Sequence, residues 1–306
     1  MTARGDGTVP ARGDGTMTAR GHGTRRRVRR AAASRRSEGF TLVELVLVIA
    51  LLGVVGTLGA GFIAQAAQMY RVGIARAELM DEASDVMRRL AREVAGALPN
   101  SVRSTVAADG TYLELVPTLA AGRYRAEASV SAEPAGTDPL EFGASPADTS
   151  FQVLGPAVEV AAGSQLVIYN LGTAEADAYA GNNRRTPVST GAALSTVTYT
   201  AAGGGFPIDS PDHRFFVVGA PVSFHCASDG RLTRYAGYGW SATQPTLASG
   251  SLAAASASRL ATTVAQCSFE LDAGLANLGS VLIRLTLSRD GESVTLLHQV
   301  TVDATP

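Results

Sequence analysis

A single carboxylate, Glu44, stands at the start of a long apolar segment. From Leu45 to Tyr70 the chain runs for 26 residues without a charged side chain. A carboxylate in an apolar phase costs several kcal/mol unless a cation pairs with it. Shortly before Glu44, the small residue Gly39 ends an arginine-rich stretch. An ordinary secretory signal has its small-residue cleavage site after the apolar region, whereas cleavage at Gly39 would leave the apolar segment on the mature protein.

The two cysteines, Cys226 and Cys267, could form one disulfide. A disulfide is the default in an oxidising compartment, and two buried free thiols are the alternative. No Cys-x-x-Cys or paired-histidine spacing accompanies them, so no zinc site is expected. The bond would close a loop of about 40 residues, which the chain-entropy account values at roughly 4 kcal/mol. We interpret the pair as structural.

Other side chains could support catalysis or binding, but their patterns favour packing. His213, His225 and His298 lie in or beside strand-like sequence, and neither a Gly-x-Ser-x-Gly elbow nor a His-Glu-x-x-His helix occurs. A hydrolase is therefore not expected. Tyr235, Tyr238 and Trp240 could form a ligand surface, although such aromatics more often pack against a sheet. No metal motif is present; scattered Asp and Asn in the middle of the chain could still bind Ca²⁺.

The segment that carries Glu44 predicts one long helix over residues 40–98. Residues 40–67 are long and apolar enough to cross a bilayer, and residues 68–98 are amphipathic. Leu98-Pro99 predicts the end of the helix. In the amphipathic part, an apolar stripe lies on one side of the helix and charged residues lie on the opposite side. The stripe comprises Leu79, Ala83, Val86, Leu90, Val94 and Ala97.

Charge is divided at Gly39. Residues 1–39 carry ten arginines against three acidic residues, and the remainder carries sixteen against twenty-four. This asymmetry predicts a cytoplasmic N-terminus, and the acidic remainder argues against nucleic-acid binding. Residues 1–24 contain a Gly- and Arg-rich repeat that predicts disorder; a true start nearer the Arg25–Arg36 cluster is an alternative. In either case residues 1–39 are expected to be removed as a leader.

Beyond Pro99 the sequence predicts a β-rich domain over residues 99–306. Short β-favouring runs occur at Tyr112–Val116, Phe151–Leu154, Gln165–Tyr169 and Leu194–Tyr199. Weak periodicity and abundant Ala, Gly and Pro nevertheless predict long loops over about 120–212, around a smaller core. The later part predicts strands at Arg214–Cys226, Arg231–Tyr238, Thr262–Asp272, Val281–Ser288 and Ser293–Val302. Asp290-Gly291 between the last two predicts a tight hairpin.

Arg35-Arg36-Ser-Glu-Gly-Phe-Thr-Leu-Val-Glu44, followed by the apolar span, resembles the signal of type IV prepilins and of type II secretion pseudopilins. Three C-terminal stretches resemble the MshO-type minor pilin-like proteins of the mannose-sensitive haemagglutinin (MSHA) pilus system. They are His213–Cys226, Leu232–Tyr238 and Gly291–Val300. The J-type minor pseudopilins of type II secretion are similar more distantly. Residues 120–212 match neither.

The resemblance implies the α+β type IV pilin-like fold, in which a long N-terminal helix packs on an antiparallel sheet domain with one disulfide. It implies that a prepilin peptidase and N-methyltransferase cuts between Gly39 and Phe40 and methylates Phe40. Glu44 would then meet the N-terminal amine of a neighbouring subunit; snorkelling to the membrane interface is the alternative.

The function that this resemblance implies is structural and needs no cofactor. The protein would help to initiate or cap an MSHA-like pilus, in contact with major and minor pilins, an inner-membrane assembly platform and the lipid bilayer. Its place would be the bacterial inner membrane, with a periplasmic C-terminal domain, and then the filament. A J-type pseudopilin is the alternative within the superfamily; a membrane-anchored hydrolase or ligand-binding domain is the alternative outside it.

Overall fold

The computed structural model describes residues 39–128, 138–143, 148–201, 204–248, 250–272 and 278–303. The predicted leader, apart from Gly39, lies outside the described residues. Within these residues there is one α-helix, α1, which spans Leu42–Ala95. The chain divides into two compact units between Gly61 and Phe62, within this helix.

In the second unit, α1 and the residues directly after it bury one stripe of side chains. All six residues of the predicted stripe are buried, and Met87 joins them. The helix ends at Ala95, three residues before the predicted end, because the next backbone groups pair with another part of the chain. The Leu98 N–H donates to the Val116 carbonyl at 2.8 Å, and the Thr118 N–H donates to the Gly96 carbonyl at 3.0 Å.

Sixteen strands are found among the described residues, and all their pairings are antiparallel. In chain order they are β1 Arg103–Ala107, β2 Gly110–Leu115, β3 Thr118–Tyr124, β4 Ser150–Leu154, β5 Val158–Val160, β6 Gln165–Ile168, β7 Arg184–Pro187, β8 Gly191–Leu194, β9 Thr196–Thr200, β10 Arg214–Val218, β11 Val222–Ala227, β12 Leu232–Ala236, β13 Ser256–Ala261, β14 Val264–Asp272, β15 Leu278–Arg289 and β16 Glu292–Asp303.

Two sheets and the second unit's part of α1 share one apolar core. The first sheet has the order β1-β2-β11-β12-β13 and the second has the order β14-β15-β16. Leu79 and Leu90 of α1, Phe224 of β11 and Ile283 of β15 are fully buried in this core. An antiparallel β-rich domain therefore follows the N-terminal helix, as the pilin-like α+β prediction requires.

The expectation of long loops over residues 120–212 is wrong for the described part of that region, although the short runs Phe151–Leu154 and Gln165–Tyr169 do form strands, β4 and β6. Six strands close a barrel in the order β10-β3-β4-β9-β7-β6, and β5 pairs separately with β8. The barrel has its own core, in which Tyr124, Phe151, Phe206 and Phe215 are fully buried. Each barrel strand has only four to seven residues, which is too short for a clear alternation among alanines and glycines.

The barrel is an insertion between two neighbouring strands of the first sheet. β2 pairs with β11, and the strands that follow and precede them, β3 and β10, pair with each other. The Gly219 N–H donates to the Pro117 carbonyl at 2.9 Å, where the two connecting segments pass between the sheet and the barrel. The predicted strand Arg214–Cys226 is accordingly two strands, β10 and β11, in two different sheets.

The hairpin predicted at Asp290-Gly291 is confirmed. β15 and β16 pair along their whole length, from Arg289 with Glu292 to Leu278 with Asp303. Asp290 has φ 52° and Gly291 has φ 83°, so both turn residues adopt the left-handed conformation that a two-residue type I′ turn needs.

Candidate functional site: the N-terminal processing and assembly segment

The start of α1 is fixed by Thr41. Its Oγ1 accepts a hydrogen bond from the Glu44 N–H at 3.2 Å, and its carbonyl accepts one from Leu45 at 3.1 Å. Thr41-Leu-Val-Glu44 is therefore a capping-box sequence, with Thr41 at the N-cap and Glu44 three residues later. Sequence reasoning missed this role of Thr41, although the Thr-x-x-Glu spacing was its signal.

Gly39 and Phe40 precede the cap and lie outside the helix. Phe40 is 80% exposed, and a Cβ atom added at Gly39 would meet nothing within 4 Å. Among the residues that the structure describes, none restricts the size of a side chain at Gly39. An exposed, non-helical peptide bond is also the form in which a peptidase can bind a chain.

Glu44 lies in the first helical turn and is exposed. A carboxylate there interacts favourably with the positive end of the helix dipole, by about 0.3–1 kcal/mol. The helix start therefore gives Glu44 a role within its own chain, in addition to the role in subunit contact that the pilin resemblance implies.

The apolar part of α1 carries its side chains on the surface. The exposed large apolar residues of this helix run from Leu42 to Ile74, followed by Met80. Among the described residues, α1 is the one helix that is long and apolar enough to cross a membrane. A single apolar N-terminal helix with this surface is consistent with membrane anchoring.

Two ion pairs fasten the amphipathic part of α1 to the sheets. Glu93 accepts from the Arg234 Nε of β12 at 2.8 Å, and Glu82 accepts from the Arg289 Nη2 of β15 at 2.7 Å. Both glutamates are only partly exposed. The charged side of the helix thus contributes to the attachment of α1 as well as to its solvation.

The predicted disulfide is present. Cys226 of β11 and Cys267 of β14 are bonded, with their Cα atoms 6.0 Å apart. The bond joins the first sheet to the second at the shared core, which Cys226 enters as a buried residue. This position supports a structural role.

An ion pair with a fully buried carboxylate lies where the barrel meets the first sheet. Glu114 of β2 has no exposed side-chain surface and accepts from the Arg103 Nε of β1 at 2.6 Å. The Tyr238 hydroxyl donates to its other oxygen at 2.8 Å. Burial raises the pKa of the Glu114 carboxyl, while the hydrogen bonds and the charge of Arg103 oppose that rise.

Arg103 also binds the barrel side of this junction. Its guanidinium stacks at 3.6 Å from the centre of the Tyr179 ring, and its two terminal nitrogens donate to the carbonyls of Ala242 and Ser241 at 2.6 and 2.8 Å. Tyr179 in turn donates to the Ser101 carbonyl at 2.9 Å. One arginine therefore connects β1, β2, the barrel and the 241–242 loop.

The aromatic cluster proposed as a ligand surface is engaged in packing. Tyr238 is buried against Glu114, and Trp240 packs edge-on against Tyr179 while Arg184 stacks on its face at 3.9 Å. Tyr235 is half-buried near His225. The cluster belongs to the junction between sheet and barrel.

The three histidines considered for catalysis lie in different elements. His213 precedes β10 and packs against Tyr124, with Nδ1 3.5 Å from Asp209. His225 is buried in β11 and stacks on Tyr112 at 4.1 Å. His298 is exposed on β16. The fold does not assemble them into one site.

Comparison with known proteins identifies the N-terminal segment. The family described as "Prokaryotic N-terminal methylation motif" matches residues 34–60. No curated protein and no solved structure matches the chain. The matched residues include Gly39, Phe40, the Thr41 cap and Glu44, and they indicate a protein of the type IV pilin or pseudopilin type, processed by a prepilin peptidase.

Proposed function

We propose that this protein is a minor pilin or pseudopilin of an MSHA-like type IV pilus system, of the MshO type. The observation that carries the proposal is the methylation motif over residues 34–60 at the head of a surface-exposed apolar helix. The role is structural, not enzymatic. The protein is held in the inner membrane with its N-terminus in the cytoplasm and its disulfide-containing β domain in the periplasm, where such bonds persist.

The inserted barrel supports a position at a filament end. It adds a second β body with its own core to the helix-and-sheet domain. A densely packed shaft would have to accommodate this body at every neighbouring contact, whereas an end subunit has fewer neighbours. We therefore propose that the protein initiates or caps assembly on the inner-membrane platform, in contact with other pilins.

Processing at Gly39 is the first test of this function. The membrane-bound protein is expected to begin with N-methyl-Phe40, and the Gly39→Leu variant is expected to accumulate as the full-length precursor. The reason is that a side chain at Gly39 meets nothing within 4 Å among the described residues, so the expected obstacle is to the peptidase. Intact mass and N-terminal sequencing of the membrane fraction measure the outcome.

Gly53→Leu is the matched control, because Gly53 also has open space around it but lies inside the helix. It should be processed normally, and the wild-type chain should remain uncut in cells without the peptidase. Cleavage that continues without the peptidase, or that removes the apolar helix, would contradict the pilin function.

Glu44 is expected to act in assembly and not in processing. Glu44→Gln should be cut and methylated normally, yet its incorporation into sheared filaments should fall about tenfold or more, because an ion pair in an apolar phase is worth more than about 1.4 kcal/mol. Quantitative immunoblotting of the sheared filaments and of the membranes measures the ratio.

Glutamine is chosen because it keeps the capping-box pattern with Thr41 while it removes the charge. The control is Thr41→Ala, which loses the cap and keeps the carboxylate. If Glu44→Gln assembles as well as wild type while Thr41→Ala does not, Glu44 serves only to start the helix.

A further inference from the structure

A groove runs between α1 and the edge strand β16. It has a volume of about 600 Å³ and is lined by Ser84, Met87, Arg88, Ala91, Arg92, Leu296, Leu297 and His298. In β16 the inward-pointing row includes Val294, which is buried, and His298, which is exposed. The helix therefore leaves the middle of this strand uncovered.

The groove lies beside a free strand edge. β16 ends the β14-β15-β16 sheet and, among the described residues, pairs with β15 alone. The twelve residues of β16 therefore offer unpaired backbone donors and acceptors along their outer side. A long, regular edge of this kind readily accepts another strand.

The side chains that line the groove favour a ligand with apolar and negatively charged groups. Met87, Ala91 and Leu296 make its apolar part, and Leu297 beside it is 56% exposed. Arg88 and Arg92 are exposed and positively charged, and His298 lies beside them in the lining. No carboxylate is among the described residues that line the groove; Asp85 pairs with Arg88 from outside it.

We propose that this groove binds an extended segment of a neighbouring subunit, which adds to β16 as a further strand. Because side chains alternate along a strand, one row of the segment points into the groove and the other lies beside Leu297. The row that points into the groove carries carboxylates, which pair with Arg88 and Arg92, and the other row carries apolar side chains, which pack on Leu297. That the partner is a filament subunit rests on the proposed function; the binding chemistry does not.

The test uses a labelled peptide with the sequence Glu-Val-Glu-Val-Glu-Val and the full-length protein in lipid nanodiscs. We expect saturable binding by fluorescence anisotropy, together with slower amide hydrogen exchange over Glu292–Asp303. The Arg88→Glu/Arg92→Glu variant should bind about tenfold or more weakly, because it reverses both charges that meet the carboxylates. Both arginines are exposed, so the fold should tolerate the change.

Three controls make the result specific. Arg71→Glu/Arg76→Glu, on the same helix but outside the groove, should bind like wild type. An Arg-Val repeat of the same length should not bind, and neither should the acidic peptide with alternate backbone nitrogens methylated. Equal binding of the basic peptide, absence of binding, or binding without protection of β16 would each overturn the proposal. None of these outcomes depends on cleavage at Gly39, so the groove can fail while the pilin function stands.

Discussion

Replacement of Arg103 with methionine is expected to lower the free energy of unfolding by about 3–5 kcal/mol, because it leaves the buried Glu114 carboxylate without its cation. Methionine retains much of the apolar volume of the arginine side chain, so the loss reports chiefly on the charge and its hydrogen bonds. Urea unfolding of the full-length protein in detergent, followed by circular dichroism, measures the change.

This deficit should depend on pH. The pKa of Glu114 is raised in the folded protein, so the folded state holds a proton more tightly than the unfolded state and the contribution of this group to stability falls as pH rises. Loss of Arg103 removes two influences that oppose the rise. The variant should therefore be closer to wild type at pH 5 than at pH 8.

Two further variants separate this explanation from a general effect of losing an arginine. Arg231→Met breaks an exposed pair with Asp229 at 2.7 Å and should cost no more than about 1 kcal/mol. Adding Glu114→Gln to Arg103→Met should restore part of the lost stability, because no buried charge then remains. A loss below about 1 kcal/mol in Arg103→Met would show that the buried pair is not important to stability.

Removal of the disulfide is expected to cost a similar amount. The Cys226–Cys267 bond spans 41 residues, and a loop of that length restricts the unfolded chain by roughly 4 kcal/mol on the chain-entropy account. The Cys226→Ala/Cys267→Ala variant should unfold at correspondingly lower urea concentration than the oxidised wild type.

Reduced wild-type protein is the control for this prediction, because it lacks the bond but keeps both sulfur atoms in the core. It should match the double variant within the small cost of cavity formation at the buried Cys226. If reduction leaves the urea midpoint unchanged, the bond does not stabilise the domain and its role must be sought elsewhere.

The parts of the protein that could be predicted from sequence are those whose structure depends on the spacing or type of residues close together in the chain. The apolar stripe of α1 follows from three- and four-residue spacing, and the hairpin follows from the Asp290-Gly291 turn. The disulfide could be predicted because the chain has only two cysteines. In each case a few residues determine the outcome with little contribution from the rest of the chain.

The barrel and the buried ion pair could not be predicted in this way, because distant parts of the chain create them. β3 and β10 pair Arg123 with Arg214, and no periodicity in either strand identifies the other. Arg103 and Glu114 are ordinary charged residues in sequence. They become a buried pair only because β1 and β2 align them and the barrel covers them.

The position of the barrel also affects how the first sheet can form. β2 and β11 pair Leu113 with Phe224, and closing a flexible loop of about 110 residues costs roughly 4 kcal/mol of chain entropy. Once the barrel has folded, Pro117 and Gly219 are already hydrogen-bonded neighbours, so the two strands meet across a short connection and most of that cost is gone. The folded insertion thus acts as the turn of a hairpin between β2 and β11. In the first sheet, a pairing between strands that are distant in sequence can then form as if the strands were close in sequence.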